Sequence, residues 1–113
     1  MTARRMLLKA PPYEIEANLK RLGANLRIAR LRRNMTVQEV AKKIGTGTRA
    51  VLDAEKGKPS TGIAVYLALL WAFDLLRPFE KLADPNTDET GRLLALSKER
   101  SRASRKRRLD NDF

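Results

Sequence analysis

The chain has 113 residues, of which 42% are apolar, so its length and composition fit one small folded core. It contains no cysteine and no histidine. Their absence excludes a disulfide framework, a Cys/His zinc site, a thiol nucleophile and a histidine general base.

The formal net charge of +11 is distributed unevenly along the chain. Residues 1–60 contain 14 Lys and Arg against 5 acidic residues, residues 98–108 contain 7 against 1, and residues 61–97 are slightly acidic. Such segregation is typical of a polyanion-binding surface and favours nucleic acid as the partner. The apolar stretch near the start, residues 6–8, is too short for a signal peptide or a membrane span, which predicts a soluble, cytoplasmic protein with no membrane partner.

The first twelve residues end in Pro11 and Pro12 and predict an extended, flexible N-terminal arm. From Tyr13 to about Asn34, apolar residues recur at alternating steps of three and four, and this spacing predicts one long helix. Gly23 interrupts the pattern and indicates either a kink or another start of the helix.

Residues 37–56 predict two short helices that cross at a sharp turn, which is a helix-turn-helix. Thr36 and Glu39 form a capping-box pattern at the start of the first of these helices. Gly45 suits the left-handed backbone conformation that ends it. In the second helix, Val51 and Ala54 supply the buried stripe.

The next predicted helix covers residues 62–73, is apolar nearly all round, and has Thr61 in position to cap it. A short fifth helix with Phe79 and Leu82 follows. One apolar stripe of the fourth helix suffices for the core, so the other needs a partner surface, either the first helix or another subunit. The expected homodimer interface consists of Trp71, Phe73, Leu75, Leu76 and Phe79.

The expected fold is therefore an all-α helix bundle with three segments. Residues 1–12 form the arm, residues 13–84 the helix-turn-helix domain, and residues 85–113 a basic tail. Within the tail, Leu93, Leu94 and Leu96 indicate a weak helix over residues 86–97, and the charged, Ser-rich part beyond it predicts disorder in the free chain. Three roles stay open for the tail: a phosphate-binding arm, a docking segment for a protein, or a solubilising tail. Its end, L-D-N-D-F, combines acidic and aromatic residues that suit a protein pocket.

In a helix-turn-helix protein, the start of the second helix meets base edges in the major groove of double-stranded DNA. The side chains left facing outward, and therefore the expected base contacts, are Thr46, Thr48, Arg49, Leu52 and Asp53. Arg49 suits guanine, Leu52 a thymine methyl group and Asp53 a cytosine amino group. A solvated helix face is the alternative, although an exposed leucine between charged residues is better explained by an apolar contact.

The expected phosphate contacts flank these positions and extend into the tail. They are Thr36, Gln38, Lys56, Lys58, Arg105, Lys106, Arg107 and Arg108. An enzyme is not expected, because the G-T-G-T run at 45–48 lacks the lysine and the spacing of a phosphate loop, and no cofactor, metal or small-molecule substrate is expected either. An RNA-associated protein or a protein-binding adaptor is an alternative, but the aromatic residues fall on apolar stripes, which argues against RNA.

Residues 22–57 resemble the Xre family of phage-repressor-type helix-turn-helix domains, and the resemblance covers about residues 15–83. It implies a five-helix bundle that binds an inverted-repeat DNA operator as a dimer. It also implies that Arg30 and Glu55 form a structural pair between the first and third helices of that bundle. Val37 departs from the family, which often has a phosphate-contacting glutamine there.

Gly47 is a second departure, because a polar residue commonly contacts DNA at that position in the family. The run A-V-L-D-A-E-K-G-K-P, the apolar helix with Trp71, and the basic tail resemble HipB-like antitoxins, which share operons with HipA-type kinase toxins. This resemblance implies a repressor of its own operon that also holds the kinase, or that leaves neutralisation to a separate small protein. A regulator of the Xre type without a toxin partner is the alternative.

Overall fold

The computed structural model describes residues 3–111, and every regular element in that range is helical, which confirms the expected all-α class. In chain order the elements are α1 (Ala3–Lys9), α2 (Tyr13–Arg32), α3 (Val37–Ile44), α4 (Thr48–Glu55), α5 (Ile63–Ala72), a 3₁₀-helix (Arg77–Lys81) and α6 (Glu89–Asn111). They divide into two compact units between Leu76 and Arg77, earlier in the chain than the expected boundary after residue 84. None of the helices between residues 3 and 111 has both the length and the apolar character needed to cross a membrane.

The core of the first unit lies where α2, α3, α4 and α5 meet. Its buried side chains come from all four helices: Leu26, Ala29, Val40, Ala41, Val51, Ala54, Tyr66, Leu69 and Phe73. On α4 the core residues are Val51 and Ala54, which are completely buried. Because residues three apart share one helix face, the opposite face of α4 is turned away from the core.

Two glycines allow α2 to lie directly against the end of α4. A Cβ atom added at Gly23 would lie 2.5 Å from the carbonyl oxygen of Ala54, and one added at Gly57 would lie 2.5 Å from the carbonyl oxygen of Leu19. Gly57 also has a φ of +67°, a left-handed conformation that other residues rarely adopt. The interpretation of Gly23 as a helix start was wrong, since α2 runs from Tyr13 to Arg32 without a break, and the glycine serves this close helix contact.

The helix-turn-helix is formed by α3 and α4, as the sequence predicts. The Thr36 hydroxyl oxygen accepts a hydrogen bond of 3.1 Å from the Glu39 backbone N–H, and the Glu39 carboxylate accepts one of 3.2 Å from the Thr36 N–H. This reciprocal pair confirms the capping box. Gly45 ends α3 with a φ of +78°, so its left-handed conformation is confirmed as well.

The inward stripe of α5 consists of Tyr66, Leu69 and Phe73, which follow one helix face into the turn after α5. Phe73 is only 2% exposed, so its expected place in a dimer interface was wrong. The all-round apolar sequence of this helix does not reveal which stripe faces the core. Its N-cap was also misassigned, because the capping position is Gly62 and not Thr61.

Arg33, in the turn after α2, holds the end of α5 in place. One terminal nitrogen of its guanidinium donates to the carbonyl oxygen of Phe73 at 2.9 Å, and the other donates to the carbonyl oxygen of Ala29 at 2.9 Å. The guanidinium also lies 5.4 Å from the centre of the Phe73 ring. These contacts connect the last turn of α2 to the core residue that closes α5.

At the start of the described chain, α1 is helical where the sequence predicted an extended arm, and α6 continues the weak helix expected over residues 86–97 through the segment predicted to be disordered. α1 and α6 are rich in Leu, Ala, Arg and Lys, which have high helix propensity even without a packed face. At the start of α6, Asp88 accepts a hydrogen bond of 3.0 Å from the Gly91 N–H, and Glu89 pairs with Arg92 at 2.6 Å. The last two residues of the L-D-N-D-F end, numbers 112 and 113, lie outside the described residues.

Candidate nucleic-acid interface

The outward face of α4 carries three side chains of different chemistry. Thr48, Arg49 and Leu52 are all exposed, and the Arg49 side chain retains 80% of its accessible surface. Gly47 precedes α4 in an extended conformation, and among the described residues no side chain caps this end of the helix. The first amide N–H groups of α4 therefore lie beside a hydroxyl, a guanidinium and an apolar side chain.

Two of the expected base-contacting residues lie less openly than these three. Thr46 is half-buried in the turn between α3 and α4. The carboxylate of Asp53 is engaged within the protein, because its Oδ1 atom lies 3.2 Å from Lys58 Nζ and 3.4 Å from Arg49 Nε. Asp53 therefore forms ion pairs with two cationic side chains of the protein itself, a contact that the sequence did not predict. Its expected contact with a cytosine amino group stays a prediction.

The expected phosphate-contacting residues of the first unit stand at both ends of the helix-turn-helix. Thr36 and Gln38 are exposed at the start of α3, and the Thr36 hydroxyl can still donate a hydrogen bond while its oxygen caps the helix. Lys56 is exposed and Lys58 is half-buried directly after α4. Anionic groups are favoured near the positive end of a helix dipole, so the start of α3 suits a phosphate.

The remaining expected phosphate contacts lie in the second unit. Arg105, Lys106, Arg107 and Arg108 are all exposed on the last turns of α6. Because a helix turns by 100° per residue, four consecutive basic residues cover its whole circumference. α6 is accordingly cationic on every side near its end, with no separate apolar face there.

Arg30 and Glu55 form a two-point ion pair that joins α2 to the end of α4. Arg30 Nε donates to Glu55 Oε2 at 2.7 Å and Nη2 donates to Oε1 at 3.1 Å, while Nη1 donates to the Met35 carbonyl oxygen at 2.9 Å. The side chains of the pair are only 10% and 6% exposed. The hydrogen bond with Glu55 raises the pKa of Arg30, which therefore stays charged.

The apolar residues expected at an interface do not lie in one environment. Trp71 is 60% exposed, Leu75 is also exposed, and Leu76 is half-buried at the end of the first unit. Phe79 is half-buried within the second unit. Ile28 of α2, which the sequence analysis did not single out, lines a groove of about 310 Å³ together with Leu75.

A buried polar contact beneath the end of α4 was also not predicted from the sequence. The Tyr66 hydroxyl of α5 lies 3.4 Å from the carbonyl oxygen of Lys58, to which it donates a hydrogen bond. Burial raises the pKa of Tyr66 above the ordinary value of a tyrosine, so the hydroxyl remains a donor at neutral pH. Sequence spacing carries no signal for this contact, because it joins segments that meet only in the folded unit.

Because α3 and α4 cross at a sharp turn and the outward face of α4 is exposed, with cationic residues after it, the fold is that of a helix-turn-helix protein. The chain is similar to an uncharacterized HTH-type transcriptional regulator, y4mF, of Sinorhizobium fredii (strain NBRC 101917 / NGR234). The two are 36% identical over 64 residues, which cover 53% of this chain and 84% of that protein. The chain therefore belongs to the HTH-type transcriptional regulators. No protein-family model matches it, and no solved structure does.

Proposed function

We propose that the chain is a sequence-specific, double-stranded DNA-binding transcriptional repressor whose α4 lies in the major groove. The outward face of α4 is the observation that supports this most. Val51 and Ala54 fix the helix to the core, while Thr48, Arg49 and Leu52 remain exposed. A hydroxyl, a guanidinium and an apolar side chain match the acceptors, donors and methyl groups of base edges. Thr46, at the entry to α4, completes the proposed contact surface.

Asp53 acts in this proposal by orienting Arg49 rather than by touching a base. Its Oδ1 atom is close to Arg49 Nε, at 3.4 Å, whereas guanine O6 and N7 are bound through the two terminal nitrogens of an arginine. The carboxylate can therefore hold the side chain extended while its terminal nitrogens remain available. Lys58, at 3.2 Å from the same oxygen, fixes Asp53 in turn.

Replacing Arg49 with alanine should cost about 1–3 kcal/mol of binding free energy on the cognate duplex and relax the preference at one G·C pair. A two-point contact with guanine carries that discrimination. Fluorescence anisotropy with the DNA upstream of the protein's own coding sequence and with a random duplex of equal length measures both effects. Lys56→Ala is the matched control and should weaken both DNAs alike; equal weakening by Arg49→Ala would contradict the assignment to base contact.

Phosphate contacts at both ends of the motif complete the proposed DNA complex. Thr36 and Gln38 approach one strand from the start of α3, and Lys56 and Lys58 approach the backbone from the end of α4. The exposed cationic end of α6 adds contacts that carry no sequence information. This division assigns base preference to α4 and most of the affinity to the cationic residues around it.

We also propose a homodimer that binds an inverted repeat, as the Xre resemblance implies. Trp71 and Leu75 are exposed and Leu76 is half-buried near the end of the first unit, and Leu75 lines a groove with Ile28, Asn25, Arg32 and Arg33. Exposed apolar surface of this kind favours contact with another copy of the chain. Half-sites should lie about one helical turn apart, near 10 bp from centre to centre.

Sedimentation at micromolar concentration should give a dimer for the parent chain and a monomer for Trp71→Ser, because the substitution removes the most exposed large apolar side chain of this surface. Tyr13→Ser is the control, since Tyr13 is also exposed but lies at the start of α2. A parent chain that sediments as a monomer and binds a single half-site as tightly as the whole repeat would exclude the dimer.

The finer proposal is that the chain is the DNA-binding antitoxin of a HipA-type kinase operon. It rests on the sequence resemblance of residues 50–59, of the Trp71 helix and of the tail. A HipA-type kinase should then co-purify with the full chain, and less of it with a chain ending at Arg108 if the L-D-N-D-F end docks. Failure of the kinase to co-purify with either chain would favour an Xre-type regulator without a toxin partner.

A further inference from the structure

Four lysines from three separate segments line one cavity of about 250 Å³ in the first unit. Lys9 comes from the end of α1, Lys20 from α2, and Lys56 and Lys58 from the segment after α4. We propose that this cavity, called here the lysine cavity, binds a phosphate group. The site extends beyond the DNA contacts proposed above, because it includes α1 and the first half of α2.

The packing of α2 against the segment after α4 holds the cavity in shape. Gly57 lies so close to α2 that an added Cβ would be 2.5 Å from the Leu19 carbonyl oxygen and 2.7 Å from Lys20 Cα. Lys56 and Lys58, on either side of this glycine, are thereby fixed beside Lys20. The segments that carry these lysines are therefore joined by backbone contact rather than by flexible side chains.

The charges around the cavity do not balance. Glu16, which also lines the cavity, pairs with Lys20 at 2.9 Å, and Asp53 pairs with Lys58 at 3.2 Å. Within the described part of the chain, neither Lys9 nor Lys56 forms an ion pair with a carboxylate. Four lysines against one carboxylate leave the lining of the cavity with an excess of positive charge, which favours an anionic ligand.

Phosphate matches this cavity in charge and in the arrangement of the lysines on separate segments. Lysine ammonium groups bind phosphate oxygens as point charges from several directions, which suits a tetrahedral anion. Leu8, Pro11 and Pro59 contribute apolar wall between the lysines. The volume of about 250 Å³ leaves room for a phosphate group together with water or with the rest of a larger phosphate compound.

The phosphate can belong to the DNA backbone or to a free phosphate compound. The DNA source rests on the proposed function, since Lys56 and Lys58 lie directly after α4 and would extend its phosphate contacts through Lys9 of α1. Binding of a free phosphate compound does not depend on DNA binding. One substitution, Lys9→Gln, tests both sources, because Lys9 is exposed and its replacement leaves the core intact.

The first experiment titrates inorganic phosphate into the full chain by calorimetry, without DNA and at constant ionic strength. If the site accepts a free phosphate, Lys9→Gln should weaken binding about ten-fold or more, because a charge-assisted hydrogen bond is lost. Lys81→Gln is the matched control, since Lys81 is exposed and does not line the cavity. Thermal melts of all three proteins verify that they are folded.

The second experiment measures the salt dependence of affinity for the DNA upstream of the coding sequence. If the DNA backbone supplies the phosphate, Lys9→Gln should lower the slope of log affinity against log salt by about one, without changing base preference. Lys81→Gln should leave the slope unchanged. In a phosphate-ethylation interference experiment, one phosphate whose ethylation prevents binding of the parent chain should then no longer affect binding of Lys9→Gln.

Either result supports a phosphate site and identifies its source. The inference is overturned if Lys9→Gln keeps the parent slope and the parent chain either binds no inorganic phosphate or binds it no more tightly than Lys9→Gln. In that case Arg49-dependent binding to DNA would leave the proposed function intact. Conversely, phosphate binding by a chain that binds no DNA would overturn the proposed function and leave the lysine cavity as a site for a free phosphate compound.

Discussion

Replacing Arg30 with methionine is expected to lower the free energy of unfolding by about 3–5 kcal/mol, because it leaves the Glu55 carboxylate buried without its partner. The Glu55 side chain is only 6% exposed, so water cannot replace the two hydrogen bonds of 2.7 and 3.1 Å that the guanidinium supplies. The Met35 carbonyl oxygen loses its 2.9 Å hydrogen bond as well. Urea denaturation followed by circular dichroism measures the change.

Two further variants separate the loss of the pair from the loss of a positive charge. Arg32→Met removes the same charge from an exposed position on the same helix and should change stability little. The double variant Arg30→Met with Glu55→Met should recover much of the loss, since a buried ion pair and an apolar pair of similar volume are often equally stable. If Arg30→Met unfolds like the parent chain and loses only DNA binding, Arg30 is a DNA contact.

The parts of the fold that the sequence predicted are those specified by local signals. Thr36, Glu39 and Gly45 act on their own helix, so the limits of α3 and the turn after it follow from residue type and spacing. The buried stripe of α4 follows from helix periodicity through Val51 and Ala54. The outward face that carries the proposed base contacts is the complement of that stripe, and was therefore predictable too.

The parts that were missed depend on which segments meet in the folded chain. Gly23 interrupts an apolar pattern in the sequence, and only the approach of α4 explains why a side chain cannot fit there. The ion pair of Asp53 with Lys58 was not predicted, because this contact is not encoded in helix periodicity. Phe73 was placed at an interface because α5 is apolar on every side, so periodicity could not identify its buried stripe.

The helical ends show a different limit of sequence reasoning. The prediction of a disordered tail weighed the lack of an apolar face and the repulsion among like charges. In α6, the helix propensity of Leu, Ala, Arg and Lys and the hydrogen bond from the Gly91 N–H to Asp88 favour a helix of 23 residues. A basic segment that is already helical presents its cations in a fixed array, which bears directly on how strongly it can bind a polyanion.

Affinity for the DNA upstream of the coding sequence is expected to fall by about three to five decades between 50 and 200 mM salt, if six to ten phosphates are neutralised. The cationic residues at the ends of the helix-turn-helix and on α6 release condensed counterions when they bind the backbone. Replacing the four consecutive basic residues near the end of α6, Arg105, Lys106, Arg107 and Arg108, with glutamine should lower the salt slope by up to about four. Fluorescence anisotropy across the salt series measures both slopes.

The same variant should keep the parent footprint and base preference, because phosphate contacts from α6 carry no sequence information. Arg92→Gln is the matched control, since Arg92 is paired with Glu89 at 2.6 Å and is not among the proposed phosphate contacts. A parent slope near zero would remove the electrostatic basis of the proposed complex. A steep parent slope that the α6 variant leaves unchanged would instead show that Arg105 to Arg108 release no counterions, and this end of α6 would then be available for a protein partner.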